Sequence, residues 1–455
     1  MRFQTIVASE IARLDSDVMN GGGTDDTAAL QQVLDLAKDQ SVGVHLIMDG
    51  AALVRGLKVY SNTTIECRSA ACGFYLADHS DCPVIQNGNL RKEGQAIVDE
   101  NITLLGGTYN QNCAHQVHSI SYEDDRGFLP SWNLPGFPPS MDAVVNHQWI
   151  GVRRLTLRDV IIRDQRTYAL MMCNWEHVVI ENMEIQLPGR VHGQNQDGIH
   201  VFGPGRFLTI RNVSGCTSDD FIALAPDERD GISSITDVVM DGVHLDDADQ
   251  AIRLLCHKDG VLDRVTIRNV SGTYRSFGFF INPFHPTGLA DNAGYRNILI
   301  DGVDLRSNGV DYDYTSPFLF RVGGQVDNLT LKNITHYCPN DARPVVDVGL
   351  RYYMDSVPSP DGSKTHVVNL TVDGLTIIRK ADSAAGDVVR LRDCKVEHLA
   401  LRNITVIDQK EPRGNLIALE SGAQVATCLM ELPTGGGLHG LVDEQGGMIE
   451  TIIEK

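Results

Sequence analysis

LTIRNVSG at 208–215 returns almost unchanged as VTIRNVSG at 265–272, with VVMDGVHL at 238–245 between them. Each block alternates apolar and polar residues and is rich in Val, Ile, Leu and Thr, which reads as a strand with one buried face. The same pattern runs outward in both directions. LTLRDV (155–160) and VVIENMEI (178–185) precede it, and ILIDGVDL (298–305), LTLKNITH (329–336), LTVDGLTI (370–377) and LALRNITV (399–406) follow. Every block carries Asn or Asp near its middle: Asp159, Asn182, Asn212, Asp241, Asn269, Asp301, Asn333, Asp373 and Asn403. Their separations run from 23 to 40 residues and centre near 30. A period of that length with no helical pattern between blocks means one solenoid coil of several short strands per repeat. Asn and Asp at equivalent turns can stack and bond to the backbone of the next coil, so their role is structural.

The fold expected is all-β: a single-stranded right-handed parallel β-helix forming one domain over 1–455. Residues 1–50 would be the N-terminal cap region and 415–455 the C-terminal cap region. Within the first, GGGTDDTAALQQVLDLAKD (21–39) predicts a capping helix, with Thr27 or Asp26 at its N-cap and Ala29, Leu30, Val33, Leu34 and Leu36 as apolar positions. Residues 111–140 form a long insertion with Tyr122, Phe128, Trp132 and Phe137 among prolines and glycines. Insertions of this kind usually line a working face, and aromatics such as Trp132 suit stacking on sugar rings.

Composition narrows the classes. The 455 residues include 43 glycines but only 17 prolines, which suits many short strands and tight turns. A formal net charge of -20 argues against a nucleic-acid partner. No apolar run is long enough to span a bilayer, and the first fifteen residues lack the apolar core of a secretory signal. A cytoplasmic location without membrane partners is therefore expected, or a secreted one if a leader has been trimmed from the start. The ten cysteines stand singly with no CxxC pair, which speaks against a zinc site or a disulfide framework.

A second alignment brings chemistry together. YALMMC (168–173), DGIHVF (197–202), DFIALA (220–225) and QAIRLL (250–255) fall in one column. Ile199, Val201, Ile222, Leu224, Ile252 and Leu254 would then point inward. His200, Ala223 and Arg253 would point to solvent on one shared face. Asp197, Asp220 and Gln250 would meet where the strands begin, with Gln196, Asp219 and Asp249 one place earlier. Asp197, Asp219 and Asp220 thus lie on adjacent coils about 4.8 Å apart. Their mutual repulsion would keep one carboxyl protonated as an acid while another stays ionised as a base. Glycosidic cleavage needs such a pair.

At these residues the chain resembles the pectin-lyase-like superfamily of β-helix proteins, closest to the polygalacturonases of glycoside hydrolase family 28. Asn195-Gln196-Asp197-Gly198 is similar to that family's NTD motif, and Ser218-Asp219-Asp220 to its GDD or QDD motif. Ala251-Ile252-Arg253-Leu254-Leu255 resembles its RIK segment, and GGGTDDT (21–27) resembles the N-terminal end of related pectate-lyase-like chains. The resemblance implies an inverting hydrolase. Asp219 would be the general acid, Asp197 and Asp220 would activate water, and Arg253 would hold a substrate carboxylate. Asn195, Gln250, Asp249, His200, His257, Lys258 and Trp132 complete the expected binding set. The family's GHG coil has no counterpart between Asp220 and Arg253, Asp249 stands where a histidine would be, and Leu255 replaces the lysine of RIK. The expected partner is an oligosaccharide or polysaccharide, favoured as a short oligosaccharide cut from one end. No cofactor is expected. The alternatives are a β-helix lyase or epimerase, for which Asp246-Asp247-Asp249 would be the stretch to bind Ca2+, and a non-catalytic tailspike-like saccharide binder.

Overall fold

A computed structural model of the chain describes residues 2–90, 96–117, 144–190, 195–228, 233–256, 259–283, 294–308, 317–337, 343–349, 365–380, 382 and 386–455. Nearly all of its regular structure is β, and the strand pairs are parallel. Two compact units divide the chain, Met1–Ile222 and Ala223–Lys455.

The first unit is a stack of coils with three strand faces. On one face Arg2–Val7, Val42–Met48, Thr63–Cys67, Asp99–Leu105, His147–Arg158, Leu170–Glu181 and Gly205–Gly215 pair in turn. A second carries Ala51–Val54, Gly73–Leu76, Thr108–Asn110, Ile161–Arg163 and Glu184–Gln186. The third joins Leu57–Val59 and Ile85–Asn87 to the beginnings of His147–Arg158 and Leu170–Glu181, and then to Ile199–Phe202. Side chains alternate across each strand, so equivalent residues stack into rows. One interior row is Leu46, Ile65, Leu104, Leu157, Ile180 and Ile210, all fully buried. Each such side chain contributes about 1.5–3 kcal/mol by leaving water.

The second unit repeats the arrangement. Met240, Ile267, Ile300, Leu331, Val372, Leu401 and Met430 form the matching interior row.

The turn residues do what their positions require. Asn182 donates its amide to Asp159 at 2.8 Å and Asn212 donates to Asn182 at 3.1 Å. In the second unit Asn269, Asn333 and Asn403 donate to Asp241, Asp301 and Asp373, each at 2.7 Å. Every bond has an asparagine as donor, because an ionised aspartate only accepts. The Asn turns place the Asn itself in the left-handed region, as at Asn269 (φ 56), whereas the Asp-Gly turns hand that conformation to the glycine, as at Gly302 (φ 81).

The helix is shorter than its sequence pattern and differently capped. It spans Thr27–Leu34, buries Leu30, Val33 and Leu34, and runs on into a 3-10 turn at Asp35–Lys38 that leaves Leu36 exposed. Neither Asp26 nor Thr27 caps it through a side chain. Asp26 instead accepts from the backbone N–H groups of Arg13 and Leu14, at 2.8 and 2.9 Å. Thr27 Oγ1 donates to Asp25 and accepts from the backbone N–H of Arg55. Both side chains are recruited to tie neighbouring segments together.

One interior residue sets a pH response. His147 is fully buried, packed edge-on to Tyr109 at 4.7 Å, with Nδ1 2.8 Å from Asn146 Oδ1. Burial lowers its pKa from 6.5 to about 3. Between those values the unfolded chain takes up a proton that the folded chain refuses. Stability is therefore complete above 6.5 and falls as the pH drops toward 3, by several kcal/mol in order of magnitude. The urea midpoint should fall between neutral pH and about pH 4, and His147→Leu should make that slope shallower, the remainder coming in part from His336, whose pKa burial lowers to about 4. An unchanged slope in the variant would contradict this account.

Candidate active site

Asp197 lies two residues before the strand Ile199–Phe202, and Asp220 opens the strand Asp220–Ala225. The coil register places them side by side. Ala169 N–H donates to Asp197 O and Gly198 N–H to Asp220 O, both at 2.9 Å, so Tyr168, Asp197 and Asp220 form one rung. Gly198 has no room for a side chain, since a Cβ there would stand 2.4 Å from Phe221 O. The turns before the two strands are also tied. Ser218 Oγ donates to Gln196 Oε1 at 2.9 Å, and Gln196 Nε2 donates to Gln165 O at 3.0 Å and Gly189 O at 3.3 Å. Thr217 Oγ1 donates to Asp219 O, and Asp219 Oδ1 accepts from Asp220 N–H at 2.9 Å.

These bonds bring three carboxylates together. One oxygen from each of Asp197, Asp219 and Asp220 lies within 4.8 Å of the others. Asp197 and Asp220 are buried, at 2 % exposure each, whereas Asp219 is half-buried. Two oxygens at such a separation can both accept from one water, or can share a divalent cation.

His200 completes the group. Its Nδ1 lies 2.6 Å from Asp197 Oδ2, so with Asp197 ionised the imidazole N–H donates and fixes the carboxylate. The ring stacks on Tyr168 at 4.7 Å and 10°, and tilts against Phe202 at 4.4 Å. The expectation that His200 faces solvent is therefore corrected. The residue points away from the interior isoleucine row but is only 5 % exposed, because Tyr168 and Phe202 enclose it.

Arg253 is corrected in the same way. It sits in the second unit, opposite the fully buried Ile252, in register with Phe280. Its guanidinium lies 5.3 Å from the Phe280 ring centroid and it is 7 % exposed. Gln250 and Asp249 lie in the same strand, Ser234–Leu254, and both are buried. Asn195 is exposed, in the left-handed region at φ 49. Trp132, His257, Lys258 and residues 118–140 of the insertion lie outside the described residues. In the acidic stretch considered for Ca2+, Arg275 forms an ion pair with Asp247 and stands 3.7 Å from Asp249. Among the described residues, Asp197, Asp219 and Asp220 are the acids whose oxygens converge.

Two features of this face escaped the sequence. Tyr168 is visible in YALMMC, yet its stacking on His200 follows only from the rung. Gln86 and Gln148 lie further along the outward row, with Gln148 at the same register position as Met171. Carrying the column one coil back to NHQWIG (146–151) would have found Gln148. Gln148 is fully buried, and among the described residues neither its amide nitrogen nor its oxygen has a hydrogen-bond partner. An orphaned buried polar group costs about 1–3 kcal/mol.

No protein-family model matches the chain. No curated protein matches it either. Solved structures do. A family 28 exopolygalacturonase of Yersinia enterocolitica is 15 % identical with a TM-score of 0.57, over 100 % of this chain and 78 % of that one. The A-module of the Azotobacter vinelandii mannuronan C-5 epimerase AlgE6 is 13 % identical with a TM-score of 0.56, over 95 % and 96 %. The tailspike of E. coli bacteriophage HK620, solved with a pentasaccharide, is 9 % identical with a TM-score of 0.58, over 95 % and 78 %. At such identities the likeness is one of fold, the β-helix architecture that the sequence resemblance implied.

Proposed function

We propose that the protein is a glycoside hydrolase that cleaves a uronate-containing or related oligosaccharide with inversion at the anomeric carbon. The observation that carries this reading is the convergence of Asp197, Asp219 and Asp220, with Asp197 held by His200. Three carboxylates this close repel one another, which favours keeping a proton among them. We assign that proton to Asp219, the position that the sequence resemblance gives to the general acid. In the reaction Asp219 gives its proton to the glycosidic oxygen and the bond to the anomeric carbon breaks. A water between Asp197 and Asp220 adds to that carbon and passes its proton to one of the two. His200 acts as a positioning residue by donating to Asp197. No helix among the described residues is long and apolar enough to cross a membrane.

A panel of uronate and neutral oligosaccharides, followed by mass spectrometry, tests the reading. Products that together gain one water support hydrolysis. An unsaturated product means elimination, and a product of unchanged mass with altered configuration means epimerisation. The second outcome pair has its own motive, since three convergent oxygens also suit a divalent cation. A lyase or epimerase of that kind would lose activity to a chelator, whereas the hydrolase keeps it. Release of one small product from the start would indicate cutting from an end.

A further inference from the structure

The row of outward residues that ends at His200 begins in the N-terminal coils. Lys58, Gln86, Gln148, Met171 and His200 occupy equivalent positions in successive coils. The alternate row, Leu57, Ile85, His147, Leu170 and Ile199, is fully buried in the interior. The first row therefore points away from it, on the face that carries Asp197. With about 4.8 Å per coil, Gln148 stands ~10 Å and Gln86 ~14 Å from His200.

Most buried amides of this unit are bonded, although Gln165 Oε1 and Asn174 Nδ2 also lack a partner among the described residues. Asn87 donates to Asp99 and to Ile150 O, Gln111 to Cys82 O and Val145 O, and Gln196 to Gln165 O and Gly189 O. Gln148 differs. It is buried with both amide atoms without a partner among the described residues, and Gln86 Oε1 next to it is in the same condition. Burial without a partner is unfavourable, and the fold gains nothing from it. A ligand that supplies both a donor and an acceptor removes the deficit. A sugar hydroxyl does so; a carboxylate only accepts and would leave Oε1 unsatisfied.

We propose that Gln148, seconded by Gln86, binds the hydroxyls of an uncharged part of the saccharide. The chain of sugars would run along this row from the Asp cluster toward the N-terminal coils. This rests on the reading of the cluster as a saccharide-cleaving site and adds to it the direction and the chemistry of recognition. It makes Gln148 a specificity residue for longer substrates.

The test uses the full chain in an Asp219→Asn background, with and without Gln148→Met, on an array of uronate and neutral oligosaccharides from disaccharides upward. Methionine keeps the volume and removes the amide. The expected result is that tetrasaccharides and longer bind about tenfold or more weakly to the double variant. Disaccharides that reach only the cluster should bind equally to both, and the melting temperature of the free protein should hold or rise. Equal affinity for long oligosaccharides overturns the proposal while leaving the hydrolase reading intact. A large fall in melting temperature also overturns it, because the amide would then be a structural tie. Binding of no oligosaccharide by either protein overturns both.

Discussion

Replacing Asp219 by asparagine should lower turnover by about 10²–10⁴-fold while the protein stays folded. An amide has no proton to give the leaving oxygen, so the step that breaks the glycosidic bond loses its acid. The local structure has little reason to change. Asp219 is half-buried, and its Oδ1 accepts from the N–H of Asp220, a bond that the amide oxygen of asparagine can also accept. Thr217 holds the backbone carbonyl of residue 219 and not its side chain. The melting temperature should therefore move little and ground-state binding should survive. The measurement is kcat on whichever oligosaccharide the wild-type enzyme cleaves. Near wild-type turnover would remove Asp219 from the role of acid.

Ile222→Ala should cost about 2–5 kcal/mol of stability without touching a carboxylate. Ile222 is fully buried and continues the interior row of Leu57, Ile85, Leu170 and Ile199. Its position follows from the rung that pairs Asp197 with Asp220. Truncation removes buried methyl groups and opens a cavity that stacked coils are poorly able to close. Chemical denaturation gives the number directly. A loss below about 1 kcal/mol would mean that the side chain is not packed as the register requires.

The register was legible in the sequence because the backbone imposes it. Once YALMMC and DGIHVF were aligned, the pairings Leu170 with Ile199, Met171 with His200 and Met172 with Val201 followed, and the structure has these pairs. The turn ladder was legible for a similar reason, since Asn and Asp recur where a left-handed residue or a following glycine is needed. Exposure was not legible. Alternation says which face His200 and Arg253 occupy, but not what covers that face. Tyr168 and Phe202 bury the first, and Phe280 lies against the second. The helix cap failed in the same sense, because Asp26 and Thr27 found partners in segments that sequence proximity does not reveal. Gln86 and Gln148 are neighbours in the row but 62 residues apart in the chain, about twice the usual coil, so the period hides them.

The most direct test of the account is a crystal structure of the Asp219→Asn protein with an oligosaccharide that the wild-type enzyme cleaves. The account predicts a glycosidic oxygen within hydrogen-bond reach of residue 219, and a water between Asp197 and Asp220 on the far side of the anomeric carbon. A saccharide seated away from these three residues, or a carboxylate in direct contact with the anomeric carbon where the water should be, would contradict it.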